Sequence, residues 1–274
     1  MTGVSAAVSA LTVIAILVML VVEVVPALRE IGLRRFLLDT TWGPSDGHYG
    51  LVPMTAGSFL VVLGSVSLAT PCGILSALFV NFYAPPTASA LYRLVMEVLA
   101  SIPSVVFGFW GLTVLVPLLR RIHAPGSGLA AGSLVLALMI LPTVASLADA
   151  SLRAVPRDWY RAATALGLPR WTALWRVVVP AARSGLMAGV LLQVGRAVGE
   201  TMAVLMVCGN IPQLPRGPFD AIRTLTANIA LEMPYALGVH RSALYVSGLS
   251  LFAVVAALVW LIHRIERRKG GFAR

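Results

Sequence analysis

The chain of 274 residues is 58% hydrophobic and only 12% charged, with a formal net charge of +10 at pH 7. Soluble domains carry about a quarter charged residues, and the apolar excess here is gathered into long blocks, which excludes a water-soluble globular protein. The positive charge lies beside those blocks, where it sets topology and argues against nucleic-acid binding.

A membrane-spanning helix needs roughly 20 mostly apolar residues. Six blocks meet that length: Ala6–Leu28, Thr55–Tyr83, Leu91–Leu119, Gly128–Ala150, Ser184–Cys208 and Ser242–His263. They predict an all-α polytopic membrane protein with six transmembrane helices. Arg153, Arg157, Arg161, Arg170, Arg176 and Arg183 lie between the fourth and fifth blocks, and Arg264, Arg267, Arg268, Lys269 and Arg274 follow the sixth. Two spans separate the clusters, so both fall on one side. The positive-inside rule makes that side the cytoplasm and places the N- and C-termini there.

The first block lacks a basic leader and exceeds the apolar core of a cleaved signal. Residues 1–48 are therefore read as a retained first helix and an external loop, where Asp39-Thr-Thr-Trp-Gly-Pro-Ser-Asp-Gly47 favours turns. Residues 49–264 read as a five-helix core and 265–274 as a basic cytoplasmic tail. Pro85 and Pro86 end the second span, while Pro103, Pro117 and Pro142 predict kinks in the third and fourth. Cys72 and Cys208 have no metal-ligand or disulfide spacing and are read as small buried apolar side chains. Glu97 has two readings, a gate residue or a partner for Arg93 one turn earlier. Asp149 has Arg153 within one turn and receives no transport role.

The segment 151–183 carries the first chemistry. Asp158 is placed to cap a helix whose first turn holds Trp159 and Tyr160. Gly167 falls where a helix C-terminal glycine would, and Pro169 prevents simple continuation. A second helix, Trp171–Val179, is expected to stop at Pro180. This helix–turn–helix presents Ala162 and Ala163 beside two aromatics. It suits a knob entering a groove on another protein, or equally an amphipathic segment lying on lipid headgroups.

The pattern Ala162-Ala163-x3-Gly167-x9-Val177-x-Val179-Pro180 resembles the EAA signature of binding-protein-dependent ABC importer permeases. That resemblance implies a type I (MetI-like) permease core whose coupling helix sits in a cleft of a cytoplasmic ATPase, through Trp159, Arg161, Ala162, Ala163, Gly167 and Pro180. The family carries an acid where this chain has Arg161. A phosphate-cradling loop requires Gly-Lys-Ser/Thr, and the single lysine, Lys269, precedes Gly270. The chain is therefore expected to be no enzyme and to bind no cofactor or metal, with ATP consumed by a partner subunit.

In the fifth block, Gly189, Gln193, Arg196 and Glu200 fall along one stripe at about 100° per residue. Gly185/Gly189 and Gly195/Gly199 make two pairs suited to close helix approach. Arg196 and Glu200 could pair at i,i+4. Each charge near the bilayer centre costs roughly 2.5–3.5 kcal/mol, however, which favours a pathway role. A guanidinium fork suits phosphate or another oxyanion; charge alone does not separate phosphate from sulfate or an organic acid. Beyond this block, Ile211–Arg241 is too short and polar to span. Within it Thr224–Met233 predicts an interfacial or re-entrant helix, with Asn228 and Glu232 sharing one face.

Gly195-Arg-Ala-Val-Gly-Glu-Thr201 and Glu97-Val-Leu-Ala-Ser-Ile-Pro-Ser-Val-Val-Phe-Gly108 resemble motifs of phosphate-importer permeases. Thr201-Met-Ala-Val204 and Thr226-Ala-Asn-Ile-Ala-Leu-Glu-Met233 are closer to that family's C-type than to its A-type. The resemblance implies phosphate import by alternating access, across the cytoplasmic membrane of a bacterium or archaeon. The partners it implies are an A-type permease, two ATPase subunits and an external phosphate-binding protein. Alternatives are an importer of sulfate or molybdate, and a phosphate-sensing membrane scaffold.

Overall fold

The computed structural model describes residues 2–269. Residues 270–274 of the predicted basic tail, Arg274 among them, lie outside the described residues. Among the described residues, five helices are long and apolar enough to cross a membrane, and the count is six where the bent pair Pro86–Ser101 and Ser104–Arg120 is taken as one span.

Helix α1 (Thr2–Glu30) is followed by a short α2 (Leu33–Leu38) and a two-stranded hairpin, β1 (Trp42–Gly43) with β2 (His48–Tyr49). The long α3 (Val52–Phe82) starts with Pro53 in its first turn, where a missing N–H costs no hydrogen bond. The third predicted span is not one rod. It divides into α4 (Pro86–Ser101) and α5 (Ser104–Trp110), and the axis turns by 90° between them. The cause is Pro103: it holds Ile102 extended (φ −66, ψ 128) and then caps α5, as a residue preceding proline is pushed out of the helical region.

From α5 the chain passes through one π turn, Gly111–Leu115, into α6 (Val116–Arg120). The same device recurs later, where α9 (Arg170–Ala173) runs through a π turn, Leu174–Val178, into α10 (Val179–Val198). Each π turn is followed two residues on by a proline, Pro117 or Pro180. A wider turn lets the helix proceed past a residue that cannot donate. Pro180 therefore does not stop the second loop helix, which runs on into the fifth span; the whole apolar helix covers Arg170–Val198.

Helix α7 (Leu129–Arg153) is the most enclosed and forms the axis of the core. It approaches α3 closely because Gly73 faces Val144 and the backbone of Ala145, leaving no room for a β-carbon. On its other side Gly185 and Gly189 of α10 meet Ser151 and Leu147. The first predicted glycine pair thus works as close packing does, whereas Gly195 and Gly199 have no side chain pressed against them. Cys208 is buried against Gly132, but Cys72 is exposed on the chain's surface, contrary to the sequence expectation.

After α10 come α11 (Met202–Val207), α12 (Leu225–Glu232) and α13 (Gly238–Lys269). Helix α13 continues without a break through residue 264, so the tail's first residues extend the last span. Helix α1 stands at the periphery and packs on α13 through Val24 and Ala27. Leu20 approaches Gly248, and the two helices run antiparallel with their described ends on one side.

Candidate functional site

Two places carry the predicted site residues: the broken fifth span and the loop that precedes it. Helix α10 ends at Val198, and Gly199 and Glu200 are not helical. The predicted stripe is therefore only partly formed. Gln193 and Arg196 lie on α10, but Glu200 falls in the break. No ion pair joins Arg196 to Glu200. The Glu200 Oε1 instead accepts from the backbone N–H of Ala203 at 3.1 Å, in the first turn of α11. The backbone carbonyl of Glu200 accepts from Thr226 Oγ1 at 2.8 Å, which ties the break to α12.

Arg196 donates through Nη1 to Thr143 Oγ1 at 3.2 Å. Thr143 stands near the middle of α7, which sets the guanidinium at mid-depth. Arg196 is nonetheless exposed on the surface of the single chain, as is Leu192 one turn before it. Gln193 is 3% exposed and its buried Oε1 has no partner. A span interrupted at mid-depth, with a permanent cation in its last turn, is the arrangement membrane proteins use where backbone lines a polar path.

Glu97 is exposed on α4, and no hydrogen bond or ion pair joins it to Arg196 or to Arg93. Arg93 binds Asp149 instead.

The loop helix α8 (Arg157–Ala165) begins one residue earlier than Asp158, with Pro156 as its cap. Asp158 sits in the first turn and pairs with Arg161 at 3.6 Å, both side chains being solvent-exposed. Gly167 behaves as predicted. It is left-handed at φ +84, its N–H bonds to Thr164 O, and Leu168 N–H bonds to Ala163 O, the paired bonds of a Schellman ending. The two alanines do not share a face. Ala163 is buried, beside Tyr160, whose ring stands 5.1 Å from Phe82. Ala162, Trp159 and Leu166 face outward.

Sequence reasoning missed a third cluster, at the end of the bundle away from the coupling loop. Both Glu232 oxygens accept from Trp42 Nε1 at 3.0–3.1 Å. Arg223 reaches the same carboxylate and also donates to Asn228 Oδ1 at 3.0 Å. His240 Nε2 stands 2.9 Å from the second oxygen. Asn228 is fully buried, so α12 is an internal strut rather than a solvated helix. Burial, and secondarily the charge of Glu30, raises the pKa of the Tyr49 phenol beside Trp42 above its usual value. No helical spacing links Arg223 to Glu232, and Trp42 belongs to the hairpin between α2 and α3. Nothing local advertises the cluster.

A chain whose charged span is interrupted after Val198, and whose segment 157–173 projects a basic helix pair, has the build of a permease. Residues 69–271 match the family described as binding-protein-dependent transport system inner membrane component, and the chain belongs to that family. It is a multi-pass membrane permease subunit of the ABC transporter class, not an enzyme. It is 40% identical over 240 residues to the probable ABC transporter permease protein YqgH of Bacillus subtilis, covering 85% of this chain and 78% of the relative. It is 34% identical over 272 residues to the phosphate transport system permease protein PstC of Haemophilus influenzae, covering 92% and 86%. The fold resembles a bacterial alginate ABC transporter at a TM-score of 0.68 with 14% identity, over 96% of this chain and 93% of that one. It also resembles the MetNI methionine ABC transporter at 0.60 with 20% identity, over 80% and 94%.

Proposed function

We propose that the chain is the C-type permease subunit of an ATP-driven phosphate importer, working by alternating access. The observation that carries this reading is Arg196: a permanent cation at mid-depth, held by a single neutral hydroxyl and left uncovered on the lone chain. Intramembrane arginines face a bundle interior or a water-filled cavity. A second, related permease covering this surface would enclose Arg196 in a path between the two subunits. The guanidinium fork then offers paired donors to a phosphate oxygen edge, with Gln193 beside it. Glu200 shapes the break rather than neutralising the arginine. Relatives named as phosphate permeases favour phosphate over other oxyanions.

The remaining partners follow from the same reading. One of two ATPase subunits takes the coupling helix through Trp159, Ala162 and Leu166, with Arg161 and Asp158 at the rim, and the two subunits consume the ATP. An external phosphate-binding protein delivers the ion. Gly167 and Pro180 shape the coupling loop and Glu97 stands as a gate residue on α4. The test is uptake of labelled phosphate by vesicles holding the purified complex, with sulfate and molybdate as competitors. Saturable, ATP-dependent uptake displaced only by phosphate supports the reading. Stronger displacement by sulfate or molybdate transfers it to another oxyanion, and complex formation without uptake favours a sensing scaffold.

A further inference from the structure

The cytoplasmic end of the core holds a buried carboxylate outside the proposed ion path. Asp149 of α7 is 3% exposed and takes donors from three helices. Asn81 Nδ2, at the foot of α3, donates to Oδ1 at 2.8 Å. Arg93 of α4 spans both oxygens, with Nε 3.1 Å from Oδ2 and Nη2 3.3 Å from Oδ1. Arg153, one turn further along α7 and at the entry to the coupling loop, reaches Oδ2 at 3.1 Å. Buried ion pairs add little net stability over apolar packing, while breaking one leaves a costly stray charge. Such a group is better suited to holding position than to adding stability.

The helix it holds lies on one side of the bend in its span. Helix α4 meets the rest of its span at a 90° bend, and Leu91, Leu94, Val95 and Val98 are exposed along it. Besides Arg93, its polar ties to the core are Tyr92 hydroxyl with Ser76 Oγ at 2.7 Å and Ser89 Oγ donating to Val80 O at 2.9 Å. The coupling helix reaches the same spot. Its Tyr160 ring packs on Phe82, the residue after Asn81, and Arg153 leads through Pro156 into α8. Helix α8 is thus linked to both flanks of Asp149, through Phe82 next to Asn81 and through Arg153.

We propose that Asp149 is the joint that passes movement of the coupling loop to α4, with Arg93 as the positioning residue on the α4 side. This deepens the importer reading and rests on it. A joint differs from a structural brace in one measurable way: loosening it should separate ATP hydrolysis from transport.

The experiment uses the full complex in vesicles and reads labelled phosphate uptake and ATP hydrolysis together. Arg93→Gln is the main variant, because Asp149 keeps Arg153 and no charge is stranded; Asp149→Asn is the second. Arg93→Gln is expected to assemble normally and to retain hydrolysis within twofold. Phosphate carried per ATP should fall at least tenfold, with partial recovery in Arg93→Lys. Uptake and hydrolysis falling in equal proportion, or an unchanged ratio in Arg93→Gln, overturns the proposal, and this holds even where Asp149→Asn does not fold. The wild-type complex distinguishes the two levels. If it accumulates no phosphate, the importer reading fails; if it does so and Arg93→Gln matches its yield per ATP, only the joint fails.

Discussion

Arg196 Nη1 lies 3.2 Å from Thr143 Oγ1, and that neutral hydroxyl, not the Glu200 carboxylate, is its hydrogen-bonded partner. An arginine held by a neutral group keeps its full charge available to an anion, whereas a salt bridge would compete with the ligand. Arg196→Leu is expected to abolish phosphate uptake while the complex still assembles. Arg196→Lys keeps the charge and loses the planar fork, so uptake should fall about tenfold or more. Thr143→Val removes only the acceptor and should have a smaller effect than either. The check is labelled phosphate uptake by vesicles of matched protein content. Normal uptake by the leucine variant would remove Arg196 from the path.

Glu200 gives a second, separable prediction. Its carboxylate accepts from Ala203 N–H, a capping role that glutamine's amide oxygen can also fill. Glu200→Gln should therefore assemble and melt as the parent does. Glu200→Ala loses the cap, at about 1 kcal/mol, and its thermal midpoint in detergent should drop by a few degrees. Equal midpoints for the two variants would show that the cap contributes nothing.

The Glu232 cluster is expected to govern stability. Glu232 gathers Trp42, Arg223 and His240 from three separate segments, and Arg223 is mostly buried. Glu232→Leu strands that cation, which costs about 3–5 kcal/mol in buried pairs. Trp42→Phe keeps the ring edge against Tyr49 but loses the indole N–H, for a cost of about 1.5–3 kcal/mol. Thermal unfolding of the purified complex should rank parent, Trp42→Phe and Glu232→Leu in falling order. A leucine variant as stable as the parent would contradict the cluster's structural role.

What could be read in the sequence and what could not divides along the range of the interaction responsible. The spans were legible because burial in lipid demands a long apolar run, and α7 or α13 carries one. The ending at Gly167 was legible because a left-handed glycine before proline is a local event. The break after Val198 was not: Gly199 and Thr201 lie within an apolar stretch, and hydropathy does not register where carbonyls lose their partners. Pro103 announced a kink, but its 90° angle depends on α5 packing against α11, where Gly108 admits Ala203. Asn228 and Glu232 showed only a shared helix face, because Trp42, a partner of Glu232, stands 190 positions away from it. The same reasoning placed Ala162 and Ala163 together, since adjacent residues on so short a helix give no sign of which face the core will take.

That difference between the two alanines supplies the last prediction. Ala163 is 5% exposed and packs inward beside Tyr160, while Ala162 faces solvent. A leucine at 163 would place its extra carbons at a buried position, and overpacking costs typically about 1–3 kcal/mol. A leucine at 162 projects from an exposed position on the surface offered to the ATPase. Ala163→Leu should therefore lower the thermal midpoint of the permease itself. Ala162→Leu should leave that midpoint unchanged and weaken ATPase binding, read by co-purification and by loss of stimulated ATP hydrolysis. Trp159→Ala should follow Ala162→Leu, because its indole is exposed and contributes little to the permease fold. If instead Ala162→Leu destabilises the isolated permease and Ala163→Leu spares it, the coupling helix presents its other face to the ATPase.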